Sequence, residues 1–485
     1  MVFSSLIFLY AFLPLSLLVY VLCKGREAKN MSLLVFSLIF YAWGEPKYVL
    51  LLMFMSLCSW FCALRVERAA SRKGKRAWVA VSCAIDIALI GFFKYAGLIC
   101  SVFGEVPEFI ANIALPIGIS FYTFQLLTYV VDVYRGDAEA QPSYLNVLLY
   151  ASLFHQCVAG PIVRYKTIAH ELFVQRDSRD LLSGISRFTV GLAKKTLLAN
   201  PCGALADQLL LSTDAASNAS LFAENLSTLS GLSALGAWVG VAAFMMQIYL
   251  DFSAYSDMAI GMGRMLGLHY LENFDYPYLS KTVTEFWRRW HISLGTFFRD
   301  YVYIPLGGRQ CSKARSVFNL FVVWALTGLW HGAHWNFVLW GLYFFVFILI
   351  ERLFLKRLFE KLHILPHIYL LFVVFAGWIL FHFTDVRLGW TVFLGLFGAN
   401  GNAASDFVSI TLLKNNVFLL AVSAIACTPL VKTMANGAGT RLRRSRSGER
   451  LFNLMAYIVF PIILLLLSTA SLVGDSYNPF IYFQF

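Results

Sequence analysis

Residues 320–342 read LFVVWALTGLWHGAHWNFVLWGL, and this stretch decides the fold because it belongs in a lipid bilayer. No Asp, Glu, Lys or Arg lies between Arg315 and Glu351. Since about 20 apolar residues cross a membrane as a helix, the segment is long enough to contribute to more than one crossing. Its ionisable side chains are His331 and His334. A polar side chain at such a place is costly and points to function.

The same apolar character extends along almost the whole chain of 485 residues, which is 59% hydrophobic and 14% charged. A soluble domain carries about a quarter charged residues. We therefore expect an all-α integral membrane protein in which residues 1–485 form one polytopic domain. The net charge of +12 is assigned to basic loops between apolar runs, not to nucleic-acid binding.

Loop charge predicts how the chain threads the membrane. The basic segments 24–29 and 65–76 are assigned to the cytoplasm, which places both termini outside. Residues 144–181 are expected to be re-entrant and interfacial on the cytoplasmic side, and the polar stretches 271–315 and 432–450 to be cytoplasmic loops. About 11–12 crossings are predicted, from apolar runs at 1–23, 31–44, 47–64, 77–103, 115–134, 184–211, 229–250, 318–337, 338–356, 367–384, 415–431 and 452–472.

His331 is the first candidate functional residue. It lies 13 residues after Phe318, where the apolar run begins, so at 1.5 Å per residue it is about 20 Å from the cytoplasmic end and near the mid-plane. Gly328 and Gly332 leave room for close packing or for a substrate. The alternative is a histidine that bonds two helices without a chemical role. A zinc site shared with His334 is disfavoured because no further ligand cluster is evident.

Residues 284–308, TEFWRRWHISLGTFFRDYVYIPLGG, alternate arginine with aromatic residues and contain His291. Composition alone favours an interfacial helix with its aromatic rings in lipid. The functional alternative is that Arg288 and Arg289 bind phosphate groups, which arginine pairs in a bidentate way.

Residues 247–267, QIYLDFSAYSDMAIGMGRMLG, form a third candidate block with Asp251 and Tyr255 at the cytoplasmic end of a span. A substrate site and a hydrogen-bonded network between helices are equally compatible with this pattern.

Taken together, these blocks resemble the membrane-bound O-acyltransferase family, most closely its alginate O-acetyltransferase branch. The similarity extends over nearly the whole chain and is carried by many segments in order. These are MVFSS, FLPL, FFKYAG, LPIGISFYTF, VVDVYRG, AGPIVRY, QIYLDFSAYSDMAIG, ENFDYPY, TEFWRRWHISL, RDYVYIPLGG, LTGLWHGA and FIYFQF.

The resemblance implies roles for particular residues. His331, in the W-H-G block, would be catalytic, and His291 would act on the cytoplasmic donor side. We take as candidates for binding the donor or substrate Arg288, Arg289, Trp290, Asp251, Tyr255, Trp330 and Asn336. One departure occurs in GLAKKTLLAN, where the family often has an acid and this chain has Asn200.

The implied chemistry needs no tightly bound cofactor or metal, because an acyl thioester is already activated. A neutral imidazole can take the proton of an attacking hydroxyl or carry the acyl group itself. The resemblance implies acetyl-CoA or a carrier-protein thioester as donor, and a bacterial inner-membrane location among membrane lipids. It also implies an extracytoplasmic acetyltransferase partner that modifies an exported polysaccharide.

Other functions stay open at this point. Transfer of another acyl group, such as D-alanyl, to a different envelope polymer fits the same family. A transporter would be expected to show internal repeats and charge pairs within the membrane, neither of which is evident. A structural subunit of a polysaccharide export complex is the third alternative.

Overall fold

The computed structural model describes residues 2–158, 160–174, 176, 180–474 and 477–478, and all the regular elements in these ranges are helices. The predicted all-α membrane class is confirmed. Four residues of the predicted interfacial region (175 and 177–179), Ala159 of AGPIVRY and the C-terminal FIYFQF lie outside the described residues.

Seven helices in the described ranges are long and apolar enough to cross a bilayer. They are Pro46–Arg68, Arg72–Phe103, Ala234–Met265, Trp335–Leu355, Leu365–His382, Phe407–Ala426 and Arg446–Gly474, beside the shorter apolar helix Phe8–Leu22. Other predicted runs form helices as well, such as Arg26–Gly44, Ile119–Arg135 and Lys313–His331. The total of 11–12 crossings therefore stays a prediction.

The chain divides into two compact units, each made of several stretches of sequence. The first unit comprises Met1–Leu192, Tyr255–Glu272 and Ala456–Leu472, and the second comprises Ala193–Ala254, Asn273–Met455 and Val473–Phe485. This division does not test the prediction of one domain over residues 1–485.

The first unit is built on aromatic packing around its N-terminal helices. Phe3 and Phe8 are buried with ring centroids 5.1 Å apart, and Phe40 packs on Phe154 at 5.9 Å. Its described helices are Phe8–Phe12, Leu13–Leu22, Arg26–Gly44, Pro46–Tyr48, Val49–Arg68, Arg72–Ile90, Gly91–Tyr95, Ala96–Phe103, Glu108–Ala111, Ile119–Arg135, Tyr144–Ser152, Phe154–Cys157, Tyr165–Phe173 and most of Leu181–Ala193.

Residues 144–157, part of the region 144–181 predicted to be re-entrant and interfacial, form the short helices Tyr144–Ser152 and Phe154–Cys157. Their side chains from Val147 to Cys157 are buried by protein within the first unit. The break between the two helices is satisfied locally, because the backbone N–H of Phe154 donates to Ser37 Oγ at 3.1 Å.

The second unit holds the larger share of the tryptophan-rich core. Its helices after the long Ala234–Met265 include Val283–Arg289, Ile292–Phe298, Arg299–Tyr303, Lys313–His331, Trp335–Ile350, Glu351–Leu355, Leu365–His382, Val386–Gly395, Phe407–Ala426 and Leu430–Leu442. Before it come Lys194–Ala199, Asn200–Leu210, Thr213–Ser217 and Phe222–Ser230.

The expectation of a basic loop over residues 432–450 is wrong. This stretch is helical over Leu430–Leu442 and again from Arg446, with a break at 443–445. The second helix begins at Arg446 because the hydroxyl of Ser445 accepts a hydrogen bond from the backbone N–H of Gly448 at 3.1 Å and caps this helix.

A histidine clamp ties separate segments of the first unit together outside the spanning helices. His269 Nδ1 lies 2.7 Å from Glu171 Oε1, and its Nε2 lies 2.7 Å from Asp180 Oδ2. The backbone N–H of His269 also donates to Glu171 at 2.8 Å. The carboxylates of Asp180 and Glu171 accept hydrogen bonds from the ring and raise the pKa of His269, because both favour its protonated form.

We predict that this clamp stabilises the first unit in a pH-dependent way. A raised pKa in the folded state means that the stabilisation is complete below the pKa of the unfolded chain and is lost as pH rises through the folded pKa. His269→Gln should therefore lower the unfolding temperature more at pH 5.5 than at pH 9, as measured by differential scanning fluorimetry in detergent.

The exposed His170, on the helix Tyr165–Phe173, provides the control. His170→Gln is expected to change the unfolding temperature little, because this side chain is exposed. An equal loss for His269→Gln at both pH values would contradict the clamp.

Candidate active site

His331 stands at the end of a helix and not within one. The sequence predicted a boundary at 337/338, but the helices are Lys313–His331 and Trp335–Ile350. The backbone turns extended at Gly332, with φ −177° and ψ 159°. The prediction failed because the apolar pattern runs through this break without a charge or proline to mark it. The depth of His331 in the bilayer stays a prediction.

The two helices contact each other at glycine residues, and this explains the role of Gly328 and Gly332 beside His331. A Cβ on Gly328 would lie 2.4 Å from the carbonyl oxygen of Phe337, and one on Gly341 would lie 2.4 Å from that of Trp324. A Cβ on Gly332 would meet the ring of Phe337 at 2.2 Å. The room is therefore used for close packing of the helices.

Aromatic rings surround His331, which is only 6% exposed. The ring centroids of Trp330 and Trp340 each lie 4.9 Å from that of the imidazole, and Phe381 follows at 5.4 Å. The planes of all three rings are steeply inclined to the plane of the imidazole, so these contacts are edge-to-face. These aromatic rings therefore bury the imidazole of His331 on several sides.

His291 lies in the same unit, at the start of the helix Ile292–Phe298. It has a left-handed backbone (φ 46°, ψ 54°) and is 1% exposed. Its Nδ1 lies 3.2 Å from Asn273 Oδ1, and the ring of Phe252 stands against it edge-on at 4.7 Å. Burial lowers the pKa of His291 to about 3, so the imidazole is neutral at physiological pH.

Trp330 connects the two histidines. Its ring centroid lies 4.9 Å from that of His331 and 5.6 Å from that of His291. The structure therefore brings together the two residues predicted to be catalytic, separated by little more than one indole. Trp330, predicted to contact donor or substrate, is the side chain between them.

The preference for aromatic rings in lipid around His291 is wrong for Phe286 and Trp290. These side chains are 0% and 3% exposed and stack on each other at 5.5 Å. Trp378 packs on Trp290 at 4.9 Å. Phe286 and Trp290 therefore belong to the hydrophobic core of the second unit.

The predicted arginines have different surroundings. Arg288 is exposed, and Arg289 pairs with Glu285 at 2.9 Å and Asp275 at 3.5 Å. Asn336, at the start of the helix after His331, is buried and donates to the carbonyl oxygen of Leu380 at 3.2 Å. Their assignment to donor or substrate binding stays a proposal.

Asp251 forms a buried ion pair with Lys195, with 3.0 Å between Nζ and Oδ1 and side chains 2% exposed each. The neighbouring Lys194 donates to Ser253 Oγ at 3.0 Å. Within the first unit, Arg187 pairs with Asp257 at 2.5 Å. Charge pairs among the apolar runs were not evident from the sequence, but the structure contains them. They were missed because the partners are 56 and 70 positions apart in sequence.

Tyr255 and Asn200 have structural contacts in different units. Tyr255 lies in the first unit, where its ring stacks on Phe3 at 5.0 Å and its hydroxyl accepts from the backbone N–H of Phe3. In the second unit, the amide of Asn200 donates to the carbonyl oxygen of Tyr477 at 3.1 Å.

Sequence reasoning missed two polar residues of the second unit, Asn273 and Lys195. Asn273 lies in ENFDYPY, quoted only for its resemblance, and no spacing rule links it to His291. Lys195 carried a usable signal, because a lysine inside the apolar run 184–211 calls for a partner. In the described part of the chain, no group of three or more His, Cys, Asp or Glu side chains could hold a metal ion.

The fold and this enclosure define a class: an all-helical, multi-pass membrane protein with two buried histidines on one tryptophan. The family model of the membrane-bound O-acyltransferases matches residues 52–393. The chain belongs to this family, and it is an O-acyltransferase.

Curated relatives agree with this assignment. The chain is 33% identical over the full length of both chains to "Probable alginate O-acetylase AlgI" of Azotobacter vinelandii. It is 29% identical to the "Peptidoglycan O-acetyltransferase" of Helicobacter pylori, over 83% of this chain and 80% of the relative. A "Teichoic acid D-alanyltransferase" of Bacillus subtilis is 26% identical, over 48% of this chain and 58% of the relative.

We predict that Gly328 is required for the helix pairing that holds His331. Gly328→Ala places a methyl group against the backbone of Phe337, so it should destabilise the fold by about 1–3 kcal/mol. Thermal unfolding and the yield of monodisperse protein in detergent measure this effect.

Gly437→Ala is the matched control, since a Cβ there meets nothing within 4 Å in the described structure. It should be neutral or stabilise the helix Leu430–Leu442 by up to about 1 kcal/mol. Equal stability of the two variants would contradict the tight approach at Gly328.

Proposed function

We propose that this enzyme moves an acetyl group from a cytoplasmic thioester across a bacterial inner membrane, for O-acetylation of an exported polysaccharide. The observation that carries the proposal is the pairing of His331 and His291 on Trp330, with both imidazoles buried beside aromatic rings. The relatives named for alginate and peptidoglycan O-acetylation support a polysaccharide as the final acceptor.

His331 acts on the acceptor hydroxyl in this proposal. The imidazole takes the hydroxyl proton as the oxygen attacks the thioester carbonyl, so a C–O bond forms and the C–S bond breaks. The proton then passes from His331 to the leaving thiolate, which departs as a thiol. The alternative path, in which His331 first carries the acyl group, gives the same products.

Burial suits a histidine to this task. A desolvated imidazole stays neutral, and only the neutral ring can accept a proton. Exclusion of water also protects the thioester from hydrolysis, which would waste the donor. The family generally needs no tightly bound cofactor, and the aromatic surroundings of His331 are consistent with that.

The donor and the partner are further parts of the proposal. Acetyl-CoA or a carrier-protein thioester would reach His291 from the cytoplasmic side, and an extracytoplasmic acetyltransferase protein would pass the group to the polymer. Transfer of D-alanyl to another envelope polymer is supported less, because the D-alanyltransferase relatives cover only about half of this chain.

We predict that His331→Gln reduces acetyl transfer by about 100- to 10,000-fold, the range for loss of a general base. The measurement is transfer of labelled acetyl groups by purified protein in nanodiscs, with acetyl-CoA or an acetylated carrier as donor and an oligosaccharide plus the partner protein as acceptor.

His155→Gln is the matched control, because His155 is also fully buried, with Nδ1 bonded to Tyr270 at 2.8 Å in the first unit. It is expected to lower stability while each folded molecule keeps its activity. Undiminished transfer by His331→Gln would sink the assignment of His331, and absence of transfer with every donor would sink the proposed reaction.

We also predict that Trp340 limits the acyl group to a short chain, because its ring occupies space directly beside His331. Trp340→Leu should raise the rate with butyryl relative to acetyl donor about 10-fold, since one or two methylenes are worth roughly 1–3 kcal/mol in a pocket. Competition between the two labelled donors measures this ratio.

Trp324→Leu is the control, because it tests whether replacing another tryptophan of this core also raises the rate with butyryl relative to acetyl donor. Trp324 is buried, and its ring contacts are with Trp287 at 5.0 Å and Phe344 at 5.8 Å. An equal change in the preference for acyl-chain length in both variants would contradict a specific role of Trp340.

A further inference from the structure

Asn273 presents one buried oxygen to three polar groups beside the active-site enclosure. The backbone N–H and the hydroxyl of Ser293 donate to Asn273 Oδ1 at 3.1 and 2.8 Å. Nδ1 of His291 lies 3.2 Å from the same oxygen. Asn273 is 0% exposed, so these protein groups and not bulk water decide how its side chain is oriented.

The network fixes which atom of the asparagine side chain faces the histidine. A backbone N–H can only donate, so the atom that it contacts must be the carbonyl oxygen of the amide and not its nitrogen. This oxygen offers only lone pairs to His291. An unprotonated Nδ1 would bring two lone pairs to within 3.2 Å of each other, which is repulsive.

The hydroxyl of Ser293 does not reverse this assignment. Its oxygen lies 3.3 Å from His291 Nδ1 but only 2.8 Å from Asn273 Oδ1. The shorter contact takes the hydroxyl proton, since a hydroxyl has only one to donate. Its own lone pairs are then available to a proton on Nδ1.

We infer that Asn273 is a positioning residue that holds the proton of His291 on Nδ1, so that Nε2 serves only as a hydrogen-bond acceptor. The inference rests on the proposed function, because it assigns His291 a task within that site. Any group that forms a hydrogen bond with Nε2 must therefore bring a hydrogen, as an amide N–H or a hydroxyl does. The acyl carbonyl oxygen is excluded as its partner.

Backbone hydrogen bonds also connect the segment of Asn273 to the segment of His291. The carbonyl oxygen of Asn273 accepts from the N–H of Ile292 at 2.9 Å, and the N–H of Asp275 donates to the carbonyl oxygen of Arg289 at 2.9 Å. Residues 273–275 are therefore bonded to both sides of His291. This pairing holds His291, a non-glycine residue, in the left-handed conformation, which L-residues seldom adopt.

Four of the groups that contact His291 are uncharged. They are the amide of Asn273, the hydroxyl of Ser293 and the rings of Phe252 and Trp330. Exchange of the Asn273 amide for a carboxylate would place a negative charge at Nδ1. That change stabilises the imidazolium and removes the acceptor at Nε2 whenever the second proton binds.

The test is the 15N spectrum of purified protein labelled on histidine, with His291 assigned by difference from His291→Gln. Wild type is expected to show a neutral ring with the proton on Nδ1 from pH 6 to 9. Asn273→Ala should shift the resonances toward the Nε2–H form, and Asn273→Asp should make His291 titrate within this range.

Activity provides the second measurement. Asn273→Ala should lower kcat/KM for the thioester donor by at least about 10-fold, given that a wrong tautomer costs about 10,000-fold in a serine-protease triad. Asn273→Asp should lose activity toward low pH and recover it toward high pH, a pH profile that simple destabilisation would not produce.

Asn225→Ala controls for the loss of a buried asparagine, since Asn225 is 5% exposed and donates to the carbonyl oxygen of Ala215 at 2.8 Å. It should change stability but not the His291 resonances. A wild-type proton on Nε2, or unchanged resonances in Asn273→Ala, would overturn the inference. The spectrum requires no turnover, so it can contradict the role of Asn273 while acyl transfer by His331 is retained. Equally, transfer can be absent while the spectrum supports the role of Asn273.

Discussion

The close approach of two helix backbones at Gly328 and Gly341 is the constraint on which the rest of the second unit depends. Helices that touch at their backbones leave no space between them, so large side chains must pack on either flank of the contact. Trp324, Trp340 and Phe337 do so. The first helix ends at His331, three residues after Gly328, and this places a polar ring among aromatic side chains.

Tryptophan is well suited to such a core. Each indole buries a large rigid area with few torsions to fix, and neighbouring rings meet edge to face. Trp287, Trp290, Trp330, Trp340 and Trp378 form one connected set around the histidines. Their rigid rings pack beside the two imidazoles, which are 6% and 1% exposed.

Composition and apolar run length predicted the membrane class and most of the helices, because both properties follow from local sequence. The resemblance located His331 and His291, and the structure brings them together. The break at Gly332 and the inward packing of Trp290 could not be predicted, since both depend on what lies opposite in space. The same holds for Asn273, which is 18 positions from His291, and for Lys195, whose partner Asp251 lies on a different helix.

The buried pair of Lys195 and Asp251 has a consequence for how the protein is made. A lysine or an aspartate near the centre of an inserting helix costs roughly 2.5–3.5 kcal/mol at the translocon. Lys195 leaves the ribosome well before Asp251, so the crossing predicted over residues 184–211 would enter the membrane before its counterion exists. Lateral release of that helix into lipid is therefore expected to wait for the helix Ala234–Met265, which makes the order of synthesis part of the folding pathway.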